Sequence, residues 1–176
     1  MDQQVRQERL QSRLEPEVKA FRQQRRTLQL ATIDEEGRPN VSYAPFVQNQ
    51  HGFFVLISKI ARHARNLQTN PNASIMMIED EDSAKLLFAR KRLTFDATAS
   101  IVERESEQWL AIIEQMQNRF GSIIEELSQF QDFILFQLTA EKGLYVKGFG
   151  QAYSVSANDT VDFVHLDQGH QQMSNG

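Results

Sequence analysis

The chain has no cysteine. Without thiols it can form no disulfide framework, thiolate metal site, iron–sulfur cluster, Cys-attached cofactor or Cys nucleophile, and those classes are closed. It lacks any window near the ~18 apolar residues of a spanning helix. Its first stretch, Met1 to Arg13, is polar and crowded with Gln, Arg and Glu, and the expectation is a soluble cytoplasmic protein. Nor is there an excess of positive charge: 19 Lys and Arg against 23 Asp and Glu leave a net charge of -4. That balance argues against a nucleic-acid coat or a polybasic membrane binder, so neither partner is expected and any anion site must be local. Internal repeats and low-complexity linkers are absent too. What remains is 176 residues and 20.3 kDa, the size of one well-buried domain.

Leu10, Leu14, Val18 and Phe21 recur at the spacing of an amphipathic helix, and Pro16 suits a helix start or kink near Leu14. From Thr27 the pattern becomes β-prone: a strand to Asp34, a turn at Glu35-Glu-Gly-Arg-Pro39 and a second strand, Asn40 to Gln48. The run Phe53–Ile57 is too short for a helix of its own and rich enough for a buried strand. Ala61 to Asn70 reads as a short basic helix stopped before Pro71, and Ala73 to Ile78 as a fourth strand. Arg92 to Val102 alternates, with Leu93, Phe95, Ala97, Ala99 and Ile101 on one face. Ser106 can cap a helix with the stripe Trp109, Ile112, Ile113, Met116 and Phe120. Gly121 ends it, and Ser122-Ile-Ile-Glu125 matches a capping box for a short helix through Leu127. Asp132 to Thr139 and Leu144 to Tyr153 read as two strands around a turn at Ala140–Gly143. Beyond Ala157 lies a mostly polar tail with a weak apolar group at Val161, Phe163, Val164 and Leu166. Six or seven antiparallel strands with irregularly placed helices predict a closed or partly open barrel, mainly β, with helices outside.

Two basic groups and two lone residues stand out. Arg90-Lys-Arg92 opens the alternating strand, either as an ordinary solvated strand end or as an anion partner. Arg62, His63 and Arg65 form the second group, with His63 either a phosphate-site residue or an exposed helix histidine. Asp132 at a strand entry is most often a turn residue. His170, taken alone, is a titrating side chain near a terminus, although Gly169 lets the backbone turn and the Val161–Leu166 segment could dock the tail. Three apparent motifs are discounted. Gly148-Phe-Gly150 lacks a third glycine and a following helix. Glu79–Asp82 lacks the spaced ligands of a calcium loop. His165 and His170 make no zinc signature.

The opening hairpin Leu28–Asp34, Gly37-Arg-Pro39 and the strand ending in Phe46 resemble the FMN-binding split barrel typified by pyridoxamine 5'-phosphate oxidases. Ala61-Arg-His63 with Asn66-Leu67 and Asn70-Pro71 is similar to that superfamily's Ser-Arg-Lys helix. The closer resemblance, over almost the entire chain, is to the HugZ/HutZ haem-utilisation family, carried by Tyr43-Ala-Pro-Phe46, Ala61–Arg65, Phe88–Arg92, Lys147–Tyr153, Asp162–Leu166 and Gly169-His170.

That resemblance implies a split β-barrel domain with its N-terminal helix over residues 1–157 and a tail, 158–176, bearing the ligand. It implies a homodimer that binds haem near its interface and degrades it oxidatively in iron acquisition. His170 matches the iron ligand, and a neutral imidazole is the obvious axial ligand in a chain without Cys. Arg92 matches the residue facing haem. For Asp132 the alternative to a turn role comes from its place on the apolar face with Ile134, Phe136 and Leu138 and from the lack of an obvious local partner: it would hold the His170 N–H across the dimer and raise its basicity. Arg62 and His63 belong to the cofactor-binding set. His63 and Ala61 replace the Lys and hydroxyl residue of the flavin pattern, which puts FMN in doubt. A haem carrier or store without turnover, and an FMN-dependent oxidoreductase, are the alternatives. The electron donor and haem donor are left unidentified.

Overall fold

The computed structural model describes residues 3–158 and 160–163. Its centre is a nine-stranded, wholly antiparallel sheet. The strands are β1 (Thr27–Ile33), β2 (Pro39–Pro45), β3 (Val47–Asn49), β4 (Gly52–Ser58), β5 (Asn72–Ile78), β6 (Arg92–Ile101), β7 (Phe133–Gly148), β8 (Gln151–Ser156) and β9 (Val161–Phe163). Helix α1 (Gln3–Gln24) precedes them, α2 (Arg62–Thr69) joins β4 to β5, and α3 (Glu107–Phe120) with α4 (Ile123–Gln129) joins β6 to β7.

The pairing order is β2-β1-β5-β6-β7-β4-β3, with β8 and β9 added beside β7. The two ends of that path are consecutive in the chain, since only Phe46 separates β2 from β3. Phe46 is buried, and its N–H donates to the Arg26 carbonyl at 3.1 Å. The sheet therefore curls until its ends meet without pairing, which makes a split barrel.

Two apolar layers fill the fold. Inside the barrel, Leu28, Leu30, Phe53, Val55, Ile75, Leu93, Phe95, Phe136 and Tyr145 pack with the α1 stripe Leu10, Leu14, Val18 and Phe21. Outside it, Phe54, Leu56 and Leu135 pack under Trp109, Ile112, Ile113, Met116 and Ile124 of α3 and α4. Strand β4 is thus covered on both faces, the reason its apolar residues run without alternation.

Several sequence expectations are corrected. The turn expected at Ala140–Gly143 is absent: β7 runs unbroken and turns at Phe149-Gly150, where Gly150 has φ +63°. Between Ala140 and Gly143 β7 carries one extra residue against β6, and there its other edge passes from β4 to β8. Gly143 faces Phe95 so closely that a Cβ would lie 2.5 Å from the ring. Ile101 leaves the core face and is 56% exposed. Helix α1 starts at Gln3 with Pro16 inside it. Ser106 caps α3 as expected, accepting from the Trp109 N–H, whereas Ser122 makes no side-chain cap because its own backbone is already helical. Strand β9 adds residues of the polar C-terminal stretch to the sheet, with Val161 fully buried.

Candidate functional site

Helix α2 faces two ways. Ala64, Asn66 and Leu67 point inward, and the Asn66 amide donates to Thr32 Oγ1 at 2.9 Å in the interior. Arg62 points outward to the β1–β2 turn, where its Nη2 lies 2.8 Å from Asp34 Oδ2. The Asp34 carboxyl sits below its ordinary pKa, chiefly because the Arg38 backbone N–H donates to it, with Arg62 and the Glu36 N–H adding to this against some desolvation. Asp34, Glu35, Glu36, Arg38, Arg62 and Arg65 line a polar hollow of about 300 Å³, whose cations are largely answered by its own carboxylates.

His63, one residue on, turns the other way. It is half-buried, not exposed, and its Nδ1 lies 2.8 Å from Ser42 Oγ. Burial pushes its pKa below the usual histidine value, so the ring is neutral at pH 7. It edges an apolar cavity of about 250 Å³ walled by Pro45, Leu56, Ile57, Met116, Phe120, Ile124, Leu127 and Phe133. Ser58 is the other polar side chain there.

Ser58 links the cavity to Asp132. Its hydroxyl donates to Asp132 Oδ2 at 2.7 Å and accepts the Ile60 N–H at 3.2 Å, while the Asp132 carbonyl accepts the Lys59 N–H at 2.7 Å. Asp132 is thus a turn residue at the entry of β7, as its type predicts, with its carboxylate fixed by the strand it faces.

Arg92 lies elsewhere. It opens β6 opposite Ile78 and Val146, and alternation turns it outward while Leu93 is buried. Arg90 is engaged with the Glu79 carbonyl and with Glu81, and Lys91 donates its N–H to Glu79 Oε1. Arg92 has only a long bond, 3.4 Å, to the Arg90 carbonyl, and no carboxylate partner among the described residues. The whole length of β6 separates its neighbourhood from that of Asp132, since Ile101 at the far end pairs with Phe136 near the start of β7. Ten residues of strand span about 30 Å. The structure brings together Asp132, Ser58 and His63, and leaves Arg92 and Arg62 apart. His170 lies outside the described residues.

The family model for pyridoxamine 5'-phosphate oxidase matches residues 14–147. Heme oxygenase HutZ of Vibrio cholerae is 73% identical over 176 residues, covering all of both chains. This chain belongs to the HutZ family, on the pyridoxamine 5'-phosphate oxidase-like split barrel. A crystal structure of Vibrio cholerae HutZ, there described as the heme storage protein, matches with a TM-score of 0.75 over 78% of this chain and 97% of its own. That of Campylobacter jejuni ChuZ matches with a TM-score of 0.84 at 35% identity, over 93% of this chain and 67% of its own. The fold expected of a HutZ family member, a split barrel with helices outside, is the one observed.

Reading the sequence residue by residue missed the supports of this site. Ser58, Ser42 and Asp34 each fix a predicted residue, and each is distant in sequence from the one it holds. Ser58 closes the apolar run Phe53–Ile57, the one local signal that could have drawn attention to it.

Proposed function

We propose that this chain binds haem and degrades it oxidatively, as a cytoplasmic enzyme that frees iron. The observation that carries the reading is the 73% identity to heme oxygenase HutZ over the full length of both chains. The residues present fit a haem. There are apolar walls with His63 and Ser58 as the polar groups, an outward guanidinium without a carboxylate partner among the described residues, and His170 in a thiol-free chain.

In this reading residues 158–176 carry the ligand arm, and His170 offers a neutral imidazole nitrogen to the iron. Asp132 accepts the N–H of its other nitrogen, fixing the tautomer and strengthening the donor. Ser58 holds that carboxylate in place. Arg92 pairs with a propionate and sets the orientation of the plate. Bound haem is also the substrate, and its iron supplies the centre at which dioxygen is reduced. Because Arg92 and Asp132 sit about 30 Å apart along β6, one haem is too small to meet both within one protomer. A homodimer in which each site takes Arg92 from one copy and Asp132 from the other resolves this. Val41 and Tyr43, exposed on the outer face of β2, offer such an interface.

A store without turnover is the second reading, favoured by the description given to the Vibrio cholerae crystal structure. The flavin reading fits less well, because Asp34 already answers Arg62 and His63 is neutral. Haemin titration of wild type and His170→Ala, followed by Soret absorbance and then ascorbate in air, tests all three. A His-ligated spectrum in wild type alone that bleaches to a bilin-like product is expected. Haem that binds through His170 and survives reduction gives the storage reading, and no haem binding by either protein overturns both.

A further inference from the structure

Among the described residues, strand β9 is hydrogen-bonded to α1 at Val161. Val161 has its side chain fully buried, and both its backbone groups are bonded to side chains of the helix. Gln7 Nε2 and Gln11 Nε2 donate to the Val161 carbonyl at 3.0 and 3.2 Å, and the Val161 N–H donates to Glu15 Oε1 at 3.3 Å. Positions 7, 11 and 15 are four apart, so the three polar side chains form one row along the helix. Val161 pairs with Val155 of β8 at a position where its N–H and C=O point away from that strand, toward the open edge of the sheet. Helix α1 covers that edge and satisfies it. The helix itself is fastened to β7, since Glu17 accepts from the Tyr145 hydroxyl at 2.9 Å and pairs with Lys147 at 2.6 Å.

Three residues of β9 paired to β8 are a weak attachment by themselves. We infer that Gln7, Gln11 and Glu15 are positioning residues for the haem ligand: they anchor the base of the segment that bears His170 and so set how strongly that imidazole competes for the iron. The inference rests on the assignment of His170 as ligand. With β9 docked, His170 follows the last residue of that strand, Phe163, by seven positions; with β9 released, it follows the last residue of β8, Ser156, by fourteen. Doubling the length of a tether lowers the effective concentration of its end by about threefold. By linkage, haem bound through His170 strengthens the contact of β9 with α1.

The test compares haem-loaded wild type, Gln7→Ala/Gln11→Ala/Glu15→Ala, Glu15→Ala alone, Glu15→Gln and His170→Ala, all full-length. Haem transfer to excess apomyoglobin gives the release rate, and free imidazole gives the concentration that displaces the protein ligand. The triple variant is expected to keep the wild-type Soret position, release haem about threefold faster and yield to about threefold less imidazole. Glu15→Ala should move the same way by less, and Glu15→Gln, which keeps an acceptor for the Val161 N–H, should return toward wild type. A purely structural clamp would lower the melting temperature of apo and loaded protein alike and leave the imidazole midpoint unmoved, and that result overturns the inference. If His170→Ala releases haem no faster than wild type, the ligand assignment fails and takes this inference with it. If His170→Ala releases it fast while the triple variant and Glu15→Ala behave as wild type, the inference alone fails.

Discussion

Replacing Glu17 by Ala tests how far one carboxylate holds the long N-terminal helix to the barrel. Glu17 accepts from the Tyr145 hydroxyl at 2.9 Å and pairs with Lys147 Nζ at 2.6 Å. Tyr145 is fully buried, so removing the acceptor leaves a buried hydroxyl unsatisfied, at a cost of about 1–3 kcal/mol. The Glu17 and Lys147 side chains are 28% and 30% exposed, and solvent screening limits their pair to about 1 kcal/mol. Together these predict a loss of about 2–4 kcal/mol at pH 7, or about 4–16 °C in Tm for a chain of this size. Tyr145→Phe, which spares the ion pair, should cost about 1 kcal/mol. The loss also depends on pH. Desolvation raises the pKa of Glu17, but the hydrogen bonds from Lys147 and Tyr145 and the charge of Lys147 outweigh it, so the folded pKa lies below the ordinary value of 4.5. A group depressed in the folded state stabilises above its unfolded pKa and loses that contribution as pH falls through the folded one. The wild-type advantage over Glu17→Ala should therefore be full at pH 7 and shrink below about 4.5. Urea denaturation at fixed protein concentration, at pH 7 and pH 3.5, measures both. A deficit under about 0.5 kcal/mol at pH 7, or the same deficit at both pH values, would refute the reasoning.

Gly143→Ala should lower the urea midpoint by the equivalent of about 1–3 kcal/mol, because its Cβ would meet the Phe95 ring at 2.5 Å and the Val155 carbonyl oxygen at 2.9 Å; an unchanged midpoint would mean the close approach is not real. His63 is neutral and half-buried with its pKa depressed by burial, so stability should decline as pH falls from about 6.5 toward the folded pKa, where the unfolded chain takes up the proton first. His63→Gln should flatten that slope between pH 7 and 5.5. Mixing refolded Arg92→Ala and Asp132→Ala chains should restore about a quarter of wild-type haem turnover if each site in a symmetric dimer draws on both copies, and none if each site lies within one chain. Asp132→Asn should weaken haem binding and shift the Soret band while leaving the apo fold intact by circular dichroism; an unchanged spectrum and turnover would remove Asp132 from the site.

Periodicity alone located most of the elements. The four apolar residues of α1, the alternation of β6 from Leu93 to Ala99 and the stripe of α3 all fall on buried faces as their spacing requires, because a side chain's direction follows from the 3.6- or 2-residue repeat of the backbone. Local chemistry likewise gave the Ser106 cap and the stop at Gly121. Resemblance, carried by short runs such as Tyr43–Phe46 and Phe88–Arg92, supplied the family. Only the tertiary structure decided the rest. Whether Ala140–Gly143 turns or continues depends on β6, β4 and β8 all pairing with one strand, and no window along β7 contains those partners. That Arg62 is answered by Asp34, His63 by Ser42 and Asp132 by Ser58 is likewise a matter of strands and helices brought together across 21 to 74 positions. The sequence by itself determined which residues could do the chemistry and which face of each element would be buried. The packed barrel decided which of them meet, since meeting depends on register and curvature, and these belong to the whole sheet.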